Sequence, residues 1–120
     1  MERHISHYFE FVNNLLNHQS TSLEQMRNML VVQNCPKDKI EFVINGVLKD
    51  VIQGLIPKEG TSLNELHIWL SDKVTDITTS YVDKLLKYMT VKGMINIIDG
   101  TEVYNLKIFI PNCPIDLNEV

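Results

Sequence analysis

The chain has 120 residues, 44% of them hydrophobic, and a formal net charge of −4. This is enough apolar material for one domain, or for two very small ones packed together, without a disulfide or metal to hold the core. The composition excludes a strongly basic polypeptide that coats nucleic acid, and no apolar run approaches the roughly 18 residues of a membrane-spanning helix.

His4 to Gln19 reads as an amphipathic helix, with Ile5, Tyr8, Phe9, Val12, Leu15 and Leu16 on one broad apolar face that must pack against something. The opening MERHISHYFEF lacks the basic start and continuous apolar stretch of a signal peptide. His4 and His7 lie one turn apart, but with no further ligand nearby they read as surface histidines, not a metal site.

Ser20-Thr21-Ser22 opens a second helix, and Gln25 completes a capping-box pattern with Ser22. Its apolar positions are Leu23, Met26, Met29 and Leu30. The methionines suit core filling or an adaptable binding surface, with core filling preferred. Asn34-Cys35-Pro36-Lys37 is a turn, because the residue before a proline leaves the helical region. A third helix spans Ile40 to Ile56, carried by Ile40, Val43, Ile44, Val47, Leu48, Val51, Ile52 and Leu55. Pro57-Lys58-Glu59-Gly60 turns the chain into its best-patterned stretch.

Thr61 and Ser62, with Glu65 three residues after Ser62, form a second capping box. Leu63, Leu66, Trp69 and Leu70 then share one face. Lys73 to Asp76 breaks the period. Thr78 or Thr79 caps a further helix with the stripe Val82, Leu85, Leu86 and Met89, and Gly93 suits its C-terminus. Met94 to Ile98 and Val103 to Ile108 are strand-like and flank Asp99-Gly100, a strong hairpin signal. Helix, turn, helix and hairpin, closed by the helix at 40–56, is the order of a winged helix. The tail, 111–120, is acidic and frays unless Ile115 and Leu117 dock.

The expected class is therefore mainly α (α+β), a winged helix-turn-helix with a small β-hairpin wing. The expected organisation is an N-terminal helical segment 1–37, a winged-helix domain 38–110 and a tail 111–120. There is also an internal echo. Thr21-Ser22-Leu23-Glu24-Gln25-Met26 parallels Thr61-Ser62-Leu63-Asn64-Glu65-Leu66, so the first three helices fit a second helix-turn-helix that lacks a wing.

No residue pattern points to catalysis. There is no CxxC pair, no HExxH, no glycine-rich phosphate loop and no nucleophile elbow. His67 has no acid partner at a convincing spacing and reads as a structural histidine. Asp72, Asp76 and Asp83 lack the glycine and ligand spacing of a calcium loop and read as caps and solvated carboxylates. The two cysteines, Cys35 and Cys113, read as reduced thiols of a cytosolic or nuclear protein. No enzyme activity, cofactor or metal is expected.

Two binding readings remain. Duplex DNA would meet the second helix of the winged unit through Thr79, Ser80, Lys84, Lys87 and Tyr88, with Lys92 and the wing. Only two lysines lie on that outer face, Asp83 is among them, and the helix has no arginine, the residue that most often reads guanine. Residues 1–60 carry six basic and seven acidic side chains, and 61–120 carry five and eight, so the half holding this helix is the more acidic. A protein partner would instead use the wing: Asn96, Ile98, Asp99, Glu102, Tyr104 and Leu106. An apolar surface with acidic rims suits a basic amphipathic helix.

The stretch VLKDVIQGLIPKEGTSLNELHIWL, from Val47, through KGMINIIDGTEVYNLK, ending at Lys107, resembles the C-terminal winged helix of the middle subunit of replication protein A. It also resembles the winged-helix end of the Stn-type subunit of the telomeric CST complex. Ile5-Ser6-His7-Tyr8-Phe9-Glu10-Phe11-Val12 is similar to the helix that closes the OB domain of the former. The resemblance implies a nuclear, non-catalytic recruitment module that binds helical segments or other subunits of a replication, repair or telomere-capping complex. Single-stranded DNA would then be held elsewhere, by OB domains. The extra helix around Leu23 to Leu30 favours the telomeric type or another tandem winged-helix protein. A duplex-binding transcriptional regulator is the alternative.

Overall fold

The computed structural model describes residues 4–106 and 110–119. Five helices are present among them: α1 (Ile5–His18), α2 (Leu23–Val32), α3 (Lys37–Leu55), α4 (Leu63–Lys73) and α5 (Thr79–Val91). Three strands, β1 (Thr61–Ser62), β2 (Ile95–Ile98) and β3 (Glu102–Asn105), form an antiparallel sheet in the order β1-β3-β2. A 3-10 turn, Leu117–Glu119, follows near the C-terminus. The order α3-β1-α4-α5-β2-β3 is that of a winged helix. The fold is mainly helical with a small sheet.

The helix starts follow from their caps. Ser22 Oγ accepts from the Gln25 amide at 3.0 Å, and Ser62 Oγ accepts from the Glu65 amide at 3.1 Å. Each box lacks the expected second arm. The Gln25 and Glu65 side chains accept instead from the hydroxyls of Thr21 and Thr61, both at 2.8 Å. Thr61 and Ser62 are strand residues paired with β3, an assignment that their helix-capping pattern hides. α3 begins at Lys37, not Ile40, because Pro36, with φ −56°, serves as its N-cap. α5 closes in a Schellman motif. The Met94 amide reaches the Met89 carbonyl, the Gly93 amide reaches Thr90, and Gly93 has φ 72°.

The second strand of the hairpin starts one residue earlier than expected, at Glu102. Asp99 and Gly100 have φ of 53° and 73°, and the Thr101 amide closes the turn on the Ile98 carbonyl. Because Ile98 pairs with Glu102, the loop is Asp99–Thr101. The Thr101 carbonyl accepts from the Leu63 amide and ties the wing to the start of α4. Residues 107 and 108, the end of the expected second strand, lie outside the described residues.

One core joins all five helices and the inner face of the sheet. α3 is its axis, with residues Val43 to Asp50 all buried. α1 and α2 pack on one side of α3, forming a three-helix unit without a hairpin, and α4 and α5 pack elsewhere along it. Several ties join the units, Ser20 Oγ donating to the Asp72 carbonyl at 2.8 Å among them. Thr21 bridges Val74 in parallel, and Asp76 caps α2 from the α4–α5 turn by accepting from the Leu23 amide at 2.6 Å and the Glu24 amide at 3.3 Å. The tail docks: Ile115 is buried, Leu117 is half-buried, and the Ile115 amide donates to the Phe42 carbonyl of α3. Neither cysteine is in a disulfide.

Candidate interaction surfaces

Strand alternation and register decide which wing residues meet. Asn96 pairs with Tyr104 and Ile98 with Glu102, so these four share the outward face of the sheet. Ile95, Ile97 and Val103 take the inward face, where Ile95 and Val103 are buried. Leu106 extends the outward face, its amide donating to the Met94 carbonyl, and Asp99 stands at the turn. Ile98 is 42% exposed and Leu106 61%, an apolar pair that the fold leaves uncovered among the described residues. Tyr104 is half-buried. Its ring lies over Gly60, whose φ of 87° and missing Cβ allow that approach. The Tyr104 hydroxyl donates to Glu102 at 3.0 Å, and this bond to a carboxylate pushes the phenol pKa up.

The outer face of α5 is different. Thr79, Ser80, Lys84 and Lys87 are exposed, as the helical period requires, and Asp83 is exposed among them. Tyr88 is not on that face, contrary to the sequence expectation. It is buried, and burial together with the nearby Glu119 pushes its phenol pKa up. Position 88 falls on the flank of the Leu85–Met89 stripe, and the tail closes over that flank. Lys92 lies just past the helix. Its ammonium sits 5.6 Å from the centre of the Tyr88 ring and 3.4 Å from Glu119, so the tail partly neutralises it.

Between α5 and the sheet lies a largely apolar depression of ≈ 290 Å³, lined by Leu63, Leu86, Val91 and Ile97 with Asp83, Lys87 and Thr90. A second, of ≈ 340 Å³, lies beside it at Ser62, Leu63, Asn64, His67 and Thr101. His67 does have an acid neighbour, across the helix pair: its Nε2 is 3.2 Å from Asp83 Oδ1, close but not aligned as a hydrogen bond. The sequence could not show this, because the contact depends on how α4 and α5 cross. Among the described residues no group of three or more His, Cys, Asp or Glu side chains is placed to hold a metal ion. Among the described residues no helix is long and apolar enough to cross a membrane.

A buried polar grouping also escapes sequence reasoning. Asn45, Lys49, Asp50 and Gln53 make a buried polar stripe on α3, although an amphipathic helix would be expected to turn them to water. Lys49 Nζ is 2.8 Å from Asp50 Oδ1 and donates to Gln53 Oε1 at 3.2 Å. Asn45 accepts from the Tyr81 hydroxyl, and burial raises the Tyr81 phenol pKa well above its ordinary value. The only sequence signal is the four-residue spacing of Asn45, Lys49 and Gln53, which any solvated helix face also shows.

No protein-family model, curated protein or solved structure matches the chain. The surfaces therefore have to be read from their own chemistry.

Proposed function

We propose that the chain is a non-catalytic protein-interaction module whose docking surface is the outward face of its wing. The observation that carries this reading is the register. It places Ile98 and Leu106, both exposed, on one face with Asn96 and Tyr104, and sets Glu102 and Asp99 at the margin. An apolar strip with carboxylates at its edge complements a basic amphipathic helix. On this reading the resemblance to the winged-helix ends of the replication protein A middle subunit and Stn-type subunits points to recruitment within a nuclear single-stranded-DNA-binding complex, in replication, repair or telomere capping. The duplex-binding alternative has less support. Of its six side chains Tyr88 is buried and Lys92 faces Glu119, leaving Thr79, Ser80, Lys84 and Lys87, with Asp83 among them.

Fluorescence anisotropy separates the two. Duplex and single-stranded DNA are titrated at about 50 and 200 mM salt, because phosphate contacts release counterions and weaken steeply over that range. A basic amphipathic helical peptide is titrated in parallel. The expected result is peptide binding that an Ile98→Asp, Leu106→Asp chain loses while keeping its circular dichroism. Micromolar, salt-sensitive DNA binding that disappears in Lys84→Ala, Lys87→Ala would instead establish the duplex reading.

A further inference from the structure

The C-terminal segment lies along α3 and is held there through its main chain. Lys49 Nζ donates to the Ile110 carbonyl at 2.7 Å, and Asp50 Oδ2 accepts from the Asn112 amide at 3.1 Å. Asn45 Nδ2 donates to the Ile115 carbonyl at 3.1 Å, while the Ile115 amide donates to the Phe42 carbonyl at 3.1 Å. None of these four bonds reads a side chain of the segment. The only segment side chain that is fully enclosed is Ile115, at 1% exposure. Gly46 makes the close approach possible, since a Cβ there would stand 2.3 Å from the Cys113 carbonyl oxygen.

This is how an extended peptide is recognised: main-chain hydrogen bonds for affinity and one pocket for an anchor. Pro111 and Pro114 suit it, because they stiffen the segment before it binds and lack amides that would need partners. After the anchor come Asp116 and Glu119, and Glu119 reaches Lys92 of the winged unit. The lining also matters. An apolar furrow left empty exposes its surface at full cost, whereas Asn45, Lys49, Asp50 and Gln53 can be hydrated when the segment leaves.

We propose that the furrow along α3 is a binding site for an extended peptide with a β-branched apolar anchor followed by acidic residues. In this structure the chain's own residues 110–119 occupy it in cis. A partner segment of the same pattern binds by displacing them, which also uncovers Tyr88 and frees Lys92 from Glu119. This site is separate from the outward wing face and stands whether or not that face binds a helix.

The probe is a fluorescent peptide with the sequence of residues 110–119, titrated into the full-length chain carrying Ile115→Ala, which loosens the tail. The peptide should bind this chain, bind the wild-type chain at least about tenfold more weakly, and lose binding when the peptide carries Ile115→Asp. Absence of binding to the loosened chain, or equal binding of both peptides, overturns the proposal. Native-state hydrogen exchange of the wild-type chain decides the matter if the variant does not fold. Asn112 and Ile115 amides that exchange through a smaller opening than the Val47 and Leu48 amides support a separable strap. Exchange of all four in one global opening shows the tail to be part of the cooperative core and overturns it.

Discussion

At Gly46 and at Tyr81 a single atom decides the local structure. At Gly46 an added methyl meets the Cys113 carbonyl and the Phe9 ring. Gly46→Ala is therefore expected to destabilise the chain by about 1–3 kcal/mol, despite alanine's better helix propensity. Urea unfolding followed by circular dichroism measures the loss, and a gain in stability would contradict the packing described. Tyr81 makes a pH prediction. Burial favours its neutral phenol, so the folded chain holds that proton more tightly than the unfolded chain. Its contribution to stability is full below about pH 10 and is lost as the pH rises further. Stability measured between about pH 9 and 11 should fall more steeply in the wild type than in Tyr81→Phe. The variant should also be less stable at neutral pH, because the Asn45 carbonyl loses its donor.

At the scale of elements, two contacts between distant segments hold the arrangement. Asp76 satisfies two amides at the start of α2 from the turn between α4 and α5. Asp76→Ala should cost about 1–2 kcal/mol and should raise hydrogen exchange at the first turn of α2, beyond any change at the turn itself. The polar stripe of α3 sets a sharper test. Lys49 and Asp50 are 2% and 8% exposed, and each also holds the tail. Lys49→Met alone strands a buried carboxylate and is expected to cost about 3–5 kcal/mol, whereas Lys49→Met with Asp50→Leu should recover part of that loss. A double-mutant cycle that shows no coupling would mean that the two charges do not act as a pair.

For the whole molecule, the two surfaces are independent of stability in different degrees. Ile98 and Leu106 are exposed on the wing, so Ile98→Asp should change stability by no more than about 0.5 kcal/mol while abolishing peptide binding there. A large loss of stability with unchanged binding would remove the wing from consideration. Tail variants such as Ile115→Ala combine both effects, because the tail fills the core and shields α5 at once.

Local chemistry in the sequence determined the helices, the caps Ser22, Ser62 and Thr78, the Gly93 stop and the position of the hairpin, because each depends on residues within one or two turns of one another. The same locality made Asn96, Ile98 and Tyr104 readable as alternate residues of two strands, though not the start of the second strand at Glu102, which fixes the pairing. Tertiary structure alone decided the rest. Ser62 caps α4 as its pattern predicts, but that Thr61 and Ser62 also form a strand shows only once β3 lies beside them. Tyr88 falls on the flank that the tail closes, and His67 meets Asp83 only where α4 and α5 cross. The stripe Asn45, Lys49, Asp50 and Gln53 reads as a solvated face by every local rule. Asn45, Lys49 and Asp50 are buried because a segment 61 to 70 residues further on supplies the main-chain partners that water would otherwise provide. Burial of a polar group is permitted only when a specific partner arrives, and that arrival depends on the path of the whole chain.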